Sequence, residues 1–193
     1  MPRLSCTNLP AVPWRSHLCS FYQSDAEFQR LVISYIQAGL DDHEGCLWIL
    51  PRSLASYTAT TALQRAIPQV HDYLRTGQLE LIPCTEWYGL HTTWDTNRIL
   101  ADCSRKVAQV ASRFAGLRVT GDWSWVQSAD QRAQFVVYER AIHKAAETAN
   151  VLALCTYSVA DLTASDMLGV LESHGSILLA DRLEWRKVDM CGI

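Results

Sequence analysis

Two residues apart in Ser16-His17-Leu18-Cys19-Ser20-Phe21-Tyr22, His17 and Cys19 put an imidazole and a thiol on the same side of a pleated strand. Such a pair can share one ligand or one metal ion. Cys155-Thr156-Tyr157 repeats the spacing with a thiol and a phenol, and His174 stands before Gly175 at an expected helix end. Asp122 closes an apolar segment and leads into Trp123-Ser124-Trp125. A carboxylate placed there is either paired with a cation or polar ligand, or solvated at the mouth of the sheet. The candidate ligand-binding set is therefore His17, Cys19, Tyr22, Asp122, Trp125, Cys155, Tyr157 and His174. Within it, His17, Cys19, Cys155 and His174 form a candidate set of metal ligands, because transition metals take three or four such donors.

Each of these residues also has a purely structural reading. Cysteine is commonly a small core residue, which accounts for Cys46, Cys84 and Cys103. Exposed carbonyls at a helix end favour a cationic imidazole at His174 whatever its role. His43, His71 and His143 lie among polar neighbours and read as solvated surface residues, whereas His91 could line a pocket in the aromatic segment Trp87–Trp94. With Trp87, Tyr88 and Trp94, Trp125 would wall a pocket for a small apolar molecule, or the indoles simply pack as core.

The elements that must position these residues alternate. The first strand, Ser16–Tyr22, is followed by a helix capped at Ser24 or Asp25, with Phe28, Leu31, Val32, Tyr35 and Ile36 at helical spacing up to Gly39 as the residue after its end. Cys46–Leu50 is an apolar run closed by Pro51 and reads as a strand buried on both faces. A helix over about Ser53–Ile67, a strand Leu79–Pro83 after the Thr76-Gly77 turn, and a long helix Asp95–Phe114 follow. Leu117–Trp125 is a strand that turns near its end. A helix from about Asp130 to Thr148, a strand Val151–Tyr157, a helix capped by Thr163 or Ser165 and running to Ser173, and a strand Ser176–Ala180, open to continuing toward Trp185, complete the pattern.

This order predicts a three-layer α/β/α domain with a mostly parallel sheet, in which ligands bind outside the carboxyl ends of the strands at a switch point. Residues 1–15, with Pro2, Pro10 and Pro13, read as an irregular arm, and 16–193 as a single domain. Apolar runs fall short of the roughly 20 residues of a membrane span, and no secretory h-region is found near Met1, so a cytoplasmic protein without a membrane partner is expected. Seven cysteines without a CxxC pair argue against a disulfide framework or an all-cysteine zinc site. A net charge of −3 without a basic stripe argues against direct nucleic-acid binding. An open sheet edge makes a homodimer the expectation.

Motifs of common catalysts are absent. Tyr22-Gln23-Ser24-Asp25 stands where a phosphate-binding loop would follow the first strand, so ATP binding is not expected. GxGxxG after a strand, HExxH and GxSxG are not found either.

From Ser16 to Leu179 the chain resembles the MEDS domain, the methanogen and methylotroph sensory domain also found in a repressor that responds to dichloromethane. The resemblance is carried by His17–Tyr22, Gly39-Leu40, Glu44–Leu50, Leu117–Trp125, Tyr138-Glu139, Cys155-Thr156-Tyr157 and His174. It implies a RecA/KaiC-like frame without a Walker A loop that senses simple hydrocarbon derivatives on behalf of a signalling partner protein. It also implies that the first strand lies beside the strand of Cys155, with the strand of Asp122 next, so that His17, Cys19, Asp122, Cys155 and Tyr157 converge. Asp122-Trp123 departs from the Glu-Met expected of the family, and no DNA-binding or kinase module is expected in the chain. Three readings stay open: a non-enzymatic sensor holding a small organic ligand, with a role in transcription regulation, at the carboxyl edge of the sheet; a metal- or haem-binding sensor using His17, Cys19, Cys155 and His174; and a thiol-dependent enzyme with Cys19 as nucleophile.

Overall fold

The structure is a computed structural model, and it describes residues 10–90, 94–181 and 184–190; His91 lies outside them. Strands β1 (Ser16–Tyr22), β2 (Gly45–Leu50), β3 (Leu79–Pro83), β4 (Leu117–Asp122), β5 (Val151–Ser158), β6 (Ser176–Asp181) and β7 (Glu184–Asp189) form one sheet in the order β3-β2-β4-β5-β1-β6-β7. All neighbours are parallel except β7, which runs antiparallel to β6. The expected neighbourhood of β4, β5 and β1 is thus present. The strand expected over Ser176–Ala180 is present as β6, but it does not continue toward Trp185: Ala180 pairs with Trp185 on a second, returning strand.

Helices cover both faces. Helix α1 (Asp25–Asp41) is capped by Ser24, whose hydroxyl accepts from the Glu27 N–H. With α2 (Ser56–Ala66) and α3 (Val70–Thr76), it lays Phe28, Val32, Ile36, Leu63 and Val70 on Trp48 and Leu50 of β2. The opposite face carries α4 (Cys84–Trp87), α5 (Thr96–Ala111), α6 (Ala129–Ala146) and α7 (Ala164–Ser173), which bring Ile99, Val110, Phe135, Tyr138 and Val170 onto Leu47, Ile49 and Tyr157. Both α6 and α7 start in capping boxes, on Ser128 with Gln131 and on Thr163 with Asp166.

Two local expectations are corrected. Pro68 ends α2, but the chain restarts as α3 and stops at Gly77, whose φ of 71° is the left-handed conformation glycine tolerates. Gly39 is not a residue beyond the helix end. It lies inside α1, at the closest approach of the helix to the sheet, where an added Cβ would come within 2.6 Å of the Arg118 side chain and 2.8 Å of Cys46 Sγ. That contact lets α1 pack over the buried pair of Arg118 and Glu44. No described helix is long and apolar enough to cross a membrane.

Candidate metal centre and ligand cleft

Parity along β1 and β5 sorts the candidate residues. Leu18 packs with Leu31, Tyr35 and Leu154 under α1, so His17 and Cys19 point to the other face, toward α6 and α7. On β5, Cys155 and Tyr157 share that face, and Cys19 and Cys155 are partners across the two strands. His174 reaches the same place as the residue that ends α7.

A residue the candidate set lacks holds the group together. Glu139, on the inward side of α6, is 2% exposed. Its Oε2 lies 3.3 Å from His17 Nε2 and 3.1 Å from His174 Nε2, and its Oε1 lies 3.7 Å from Cys155 Sγ. His17 Nε2 is also 3.3 Å from Cys155 Sγ. One donor atom from each of His17, Glu139, Cys155 and His174 lies within 4.8 Å of all the others. Burial pushes the Glu139 carboxyl up, yet the hydrogen-bonding and charge of the two imidazoles outweigh it and hold it at about 2. Burial and the neighbouring His174 lower His17 below its ordinary value. The sequence signal for Glu139 was its spacing: with Phe135, Tyr138 and Ile142 it occupies the core stripe of α6, where a charge has to be explained.

The remaining candidates are placed otherwise. Tyr22 and Asp122 lie on the α1 face, so they do not converge with His17 and Cys155. Asp122 is buried rather than solvated, and among the described residues no cation pairs with it. It accepts from the Tyr22 hydroxyl at 2.9 Å, the Thr156 hydroxyl at 3.1 Å and the Ser124 N–H at 2.8 Å. Burial pushes its carboxyl above the ordinary value against the pull of those donors. Trp125 does not wall an open cleft. It is fully buried in a short 3-10 turn, 4.6 Å from the Tyr88 ring and 4.9 Å from the Trp94 ring, centre to centre. Cys19 stands outside the four-residue group, its thiol 3.8 Å from the Ser176 carbonyl, and burial pushes that thiol up to about 12. A nucleophile needs the opposite shift. Tyr157 is buried beside the group with its hydroxyl unpartnered. His143, expected at the surface, is half-buried with its ring 5.7 Å from that of His17.

The position along the strands also differs from expectation. His17 is the second residue of β1 and sits level with Ala153 near the start of β5. The cluster therefore lies between the sheet and the helices, toward the amino ends of the strands rather than at their carboxyl edge. Close by, a cleft of about 210 Å³ opens between the sheet and helices α5 and α6, lined by Leu47, Trp87, Val107, Val119, Ile142 and Ala153 among others.

Residues 16–175 match the family described as the methanogen/methylotroph, DcmR sensory domain, MEDS. The chain belongs to the MEDS family. The matched span opens one residue before His17 and closes one after His174, so it contains the whole cluster. No curated protein matches the sequence. Among solved structures the MEDS chain is similar to flagellar accessory protein FlaH from Methanocaldococcus jannaschii, with a TM-score of 0.51 and 14% identity over 96% of this chain and 79% of that one. It is also similar to a KaiC-like protein from Pyrococcus horikoshii OT3, with a TM-score of 0.57 and 10% identity over 92% and 78%. At these identities the likeness concerns the fold, which is RecA/KaiC-like.

Proposed function

We propose that this MEDS chain is a sensory domain whose input is a small, largely apolar organic molecule taken up in the cleft between the sheet and helices α5 and α6. The cleft itself carries the reading. At about 210 Å³ it exceeds the cavity of about 150 Å³ that holds a benzene-sized guest, and its walls are mostly apolar, with Ser104 and Thr148 as polar exceptions. One feature favours a derivative over a bare hydrocarbon: Trp87 lines the cleft, and its indole N–H is buried with no partner, so one acceptor atom on the guest would satisfy it. Family membership supports a sensory role. A guest shifts an equilibrium only through unequal affinity for two states, and here it would do so by changing how α5 and α6 sit on the sheet. Val137 on α6 and Leu168 on α7 are exposed apolar side chains on the outer surface, where a signalling partner protein would read that change.

The test is a titration of the purified protein with short-chain alcohols, amines and haloalkanes, followed by tryptophan fluorescence. At least one class should give a saturable change, and Ala149→Phe, which fills the cleft, should weaken it by at least about tenfold, or roughly 1.4 kcal/mol. A panel without any saturable response, or an Ala149→Phe affinity equal to that of the unmodified chain, overturns the reading.

A further inference from the structure

Hydrogen-bond geometry at His174 fixes which of its nitrogens is free. Nδ1 lies 2.7 Å from the Val170 carbonyl oxygen, which can only accept, so Nδ1 donates there and Nε2 is the nitrogen turned toward Glu139. Nε2 faces Glu139 Oε2 at 3.1 Å, and both atoms are buried. A buried carboxylate oxygen and an imidazole nitrogen at this distance need a proton or a metal ion between them. His17 Nε2 and Cys155 Sγ converge on the same point.

We propose that His17, Glu139, Cys155 and His174 bind one divalent metal ion of the zinc type. Bonds of about 2.0–2.3 Å from a tetrahedral centre to N, O and S donors place those donors about 3.3–3.7 Å from one another. His174 Nε2 and His17 Nε2 lie 3.1 and 3.3 Å from Glu139 Oε2, and His17 Nε2 lies 3.3 Å from Cys155 Sγ, all near such edges, while one donor atom from each of the four residues lies within 4.8 Å of the others. Two imidazoles, a thiolate and a carboxylate suit zinc better than magnesium or calcium, which prefer oxygen alone. With four protein donors the site is closed, which is the pattern of an ion that organises structure. The Val170 carbonyl orients His174 from behind, as outer partners of metal-bound histidines do. Glu139 also borders a cleft of about 390 Å³ between α6 and α7, which gives the ion a way in. The ion would tie β1, β5, α6 and the end of α7 together, so its presence sets how tightly α6 and α7 are held on the sheet. Binding releases the Cys155 thiol proton to solvent, and no electron is transferred.

This site shares no lining residue with the apolar cleft, and its test uses the metal alone. The full chain, stripped with a chelator, is titrated with Co²⁺ and then Zn²⁺. One equivalent of Co²⁺ should give the strong visible bands of a tetrahedral ion and a near-ultraviolet thiolate-to-cobalt band, both bleached by Zn²⁺. Cys155→Ser should remove the thiolate band, while Cys19→Ser keeps it. Glu139→Gln should weaken Zn²⁺ by more than the roughly 10–100-fold that loss of an outer partner costs. Weak octahedral bands, no saturation at one equivalent, or a thiolate band lost with Cys19 and kept without Cys155 would each overturn the proposal. The cobalt spectrum of the unmodified chain decides the matter even if a variant fails to fold.

Discussion

Two hydroxyls, from Tyr22 and Thr156, donate to one oxygen of Asp122, and the Ser124 N–H donates to the other. The three donors make burial of this carboxyl tolerable without making it favourable, since burial still raises its pKa above the ordinary value of about 3.9. The native state then holds the Asp122 proton to a higher pH than the unfolded chain does. Between the ordinary value and the raised one the folded protein binds more protons, so this residue's contribution falls as the pH rises through that window and stays low above it. Asp122→Asn removes the dependence. Urea unfolding from about pH 4 to pH 8 should show the stability of the unmodified chain falling relative to Asp122→Asn as the pH rises, and a constant difference would contradict the assignment. The same residue marks where parity reading stops. Alternation assigns a side chain to a face of the sheet, but Asp122 was grouped with His17 and Cys155 by its place at a strand end, although its face is that of Tyr22. Glu139 stands in the Tyr138-Glu139 motif that carries the family resemblance, but only counting the faces of α6 turns it inward as a ligand.

Strand and helix order was legible in the sequence because each element carries its own period: β1 and β3 begin and end where the apolar runs do, and α7 starts at its Thr163 capping box. What the periods do not encode is depth. Nothing in the spacing of His17 and Cys155 says that one lies near the start of its strand while the other lies midway along, and that is what moves the cluster away from the carboxyl edge. Nor does a glycine announce whether it ends a helix or admits a neighbour. Gly39 does the second: a methyl group there would meet the Arg118 side chain at 2.6 Å and Cys46 Sγ at 2.8 Å. Arg118 cannot easily yield, being bonded to Glu44 and stacked 4.7 Å from the Tyr35 ring centre. Gly39→Ala gains up to about 1 kcal/mol in helix propensity. Against this stand overpacking of about 1–3 kcal/mol and a disturbed buried ion pair, whose breakage alone costs about 3–5 kcal/mol. Thermal unfolding should therefore show a lower midpoint, and an unchanged or higher one would mean that α1 can move away from the sheet without penalty.

At the scale of the whole molecule, the edges of the sheet are guarded. On β7, Arg186, Lys187 and Asp189 carry charge, and β3 is five residues long and closes at Pro83. Edge pairing, the ground for expecting a homodimer, is thus poorly served. The crevice where a parallel sheet usually takes its ligand lies between β1 and β5, whose connections leave toward opposite faces of the sheet. In a fold shared with KaiC-like proteins that crevice invites the question of nucleotide binding. A phosphate there would need free N–H groups at the start of α1 and a positive field around them. The Gln23 N–H is instead bonded to the Glu27 carboxylate at 2.9 Å, and the Glu27 N–H is directed at the Ser24 hydroxyl at 3.3 Å. Asp25 and Glu27 place two negative charges in the first helical turn, no glycine or lysine lies between Tyr22 and α1, and beneath them Asp122 adds a third acidic group. Each of these opposes a triphosphate, and the charges do so by Coulomb repulsion at close range. Calorimetry with ATP and magnesium should accordingly give no saturable heat. A micromolar dissociation constant, abolished by a bulky substitution at Ser24, would show that the crevice opens in solution and that the first turn of α1 rearranges to receive phosphate.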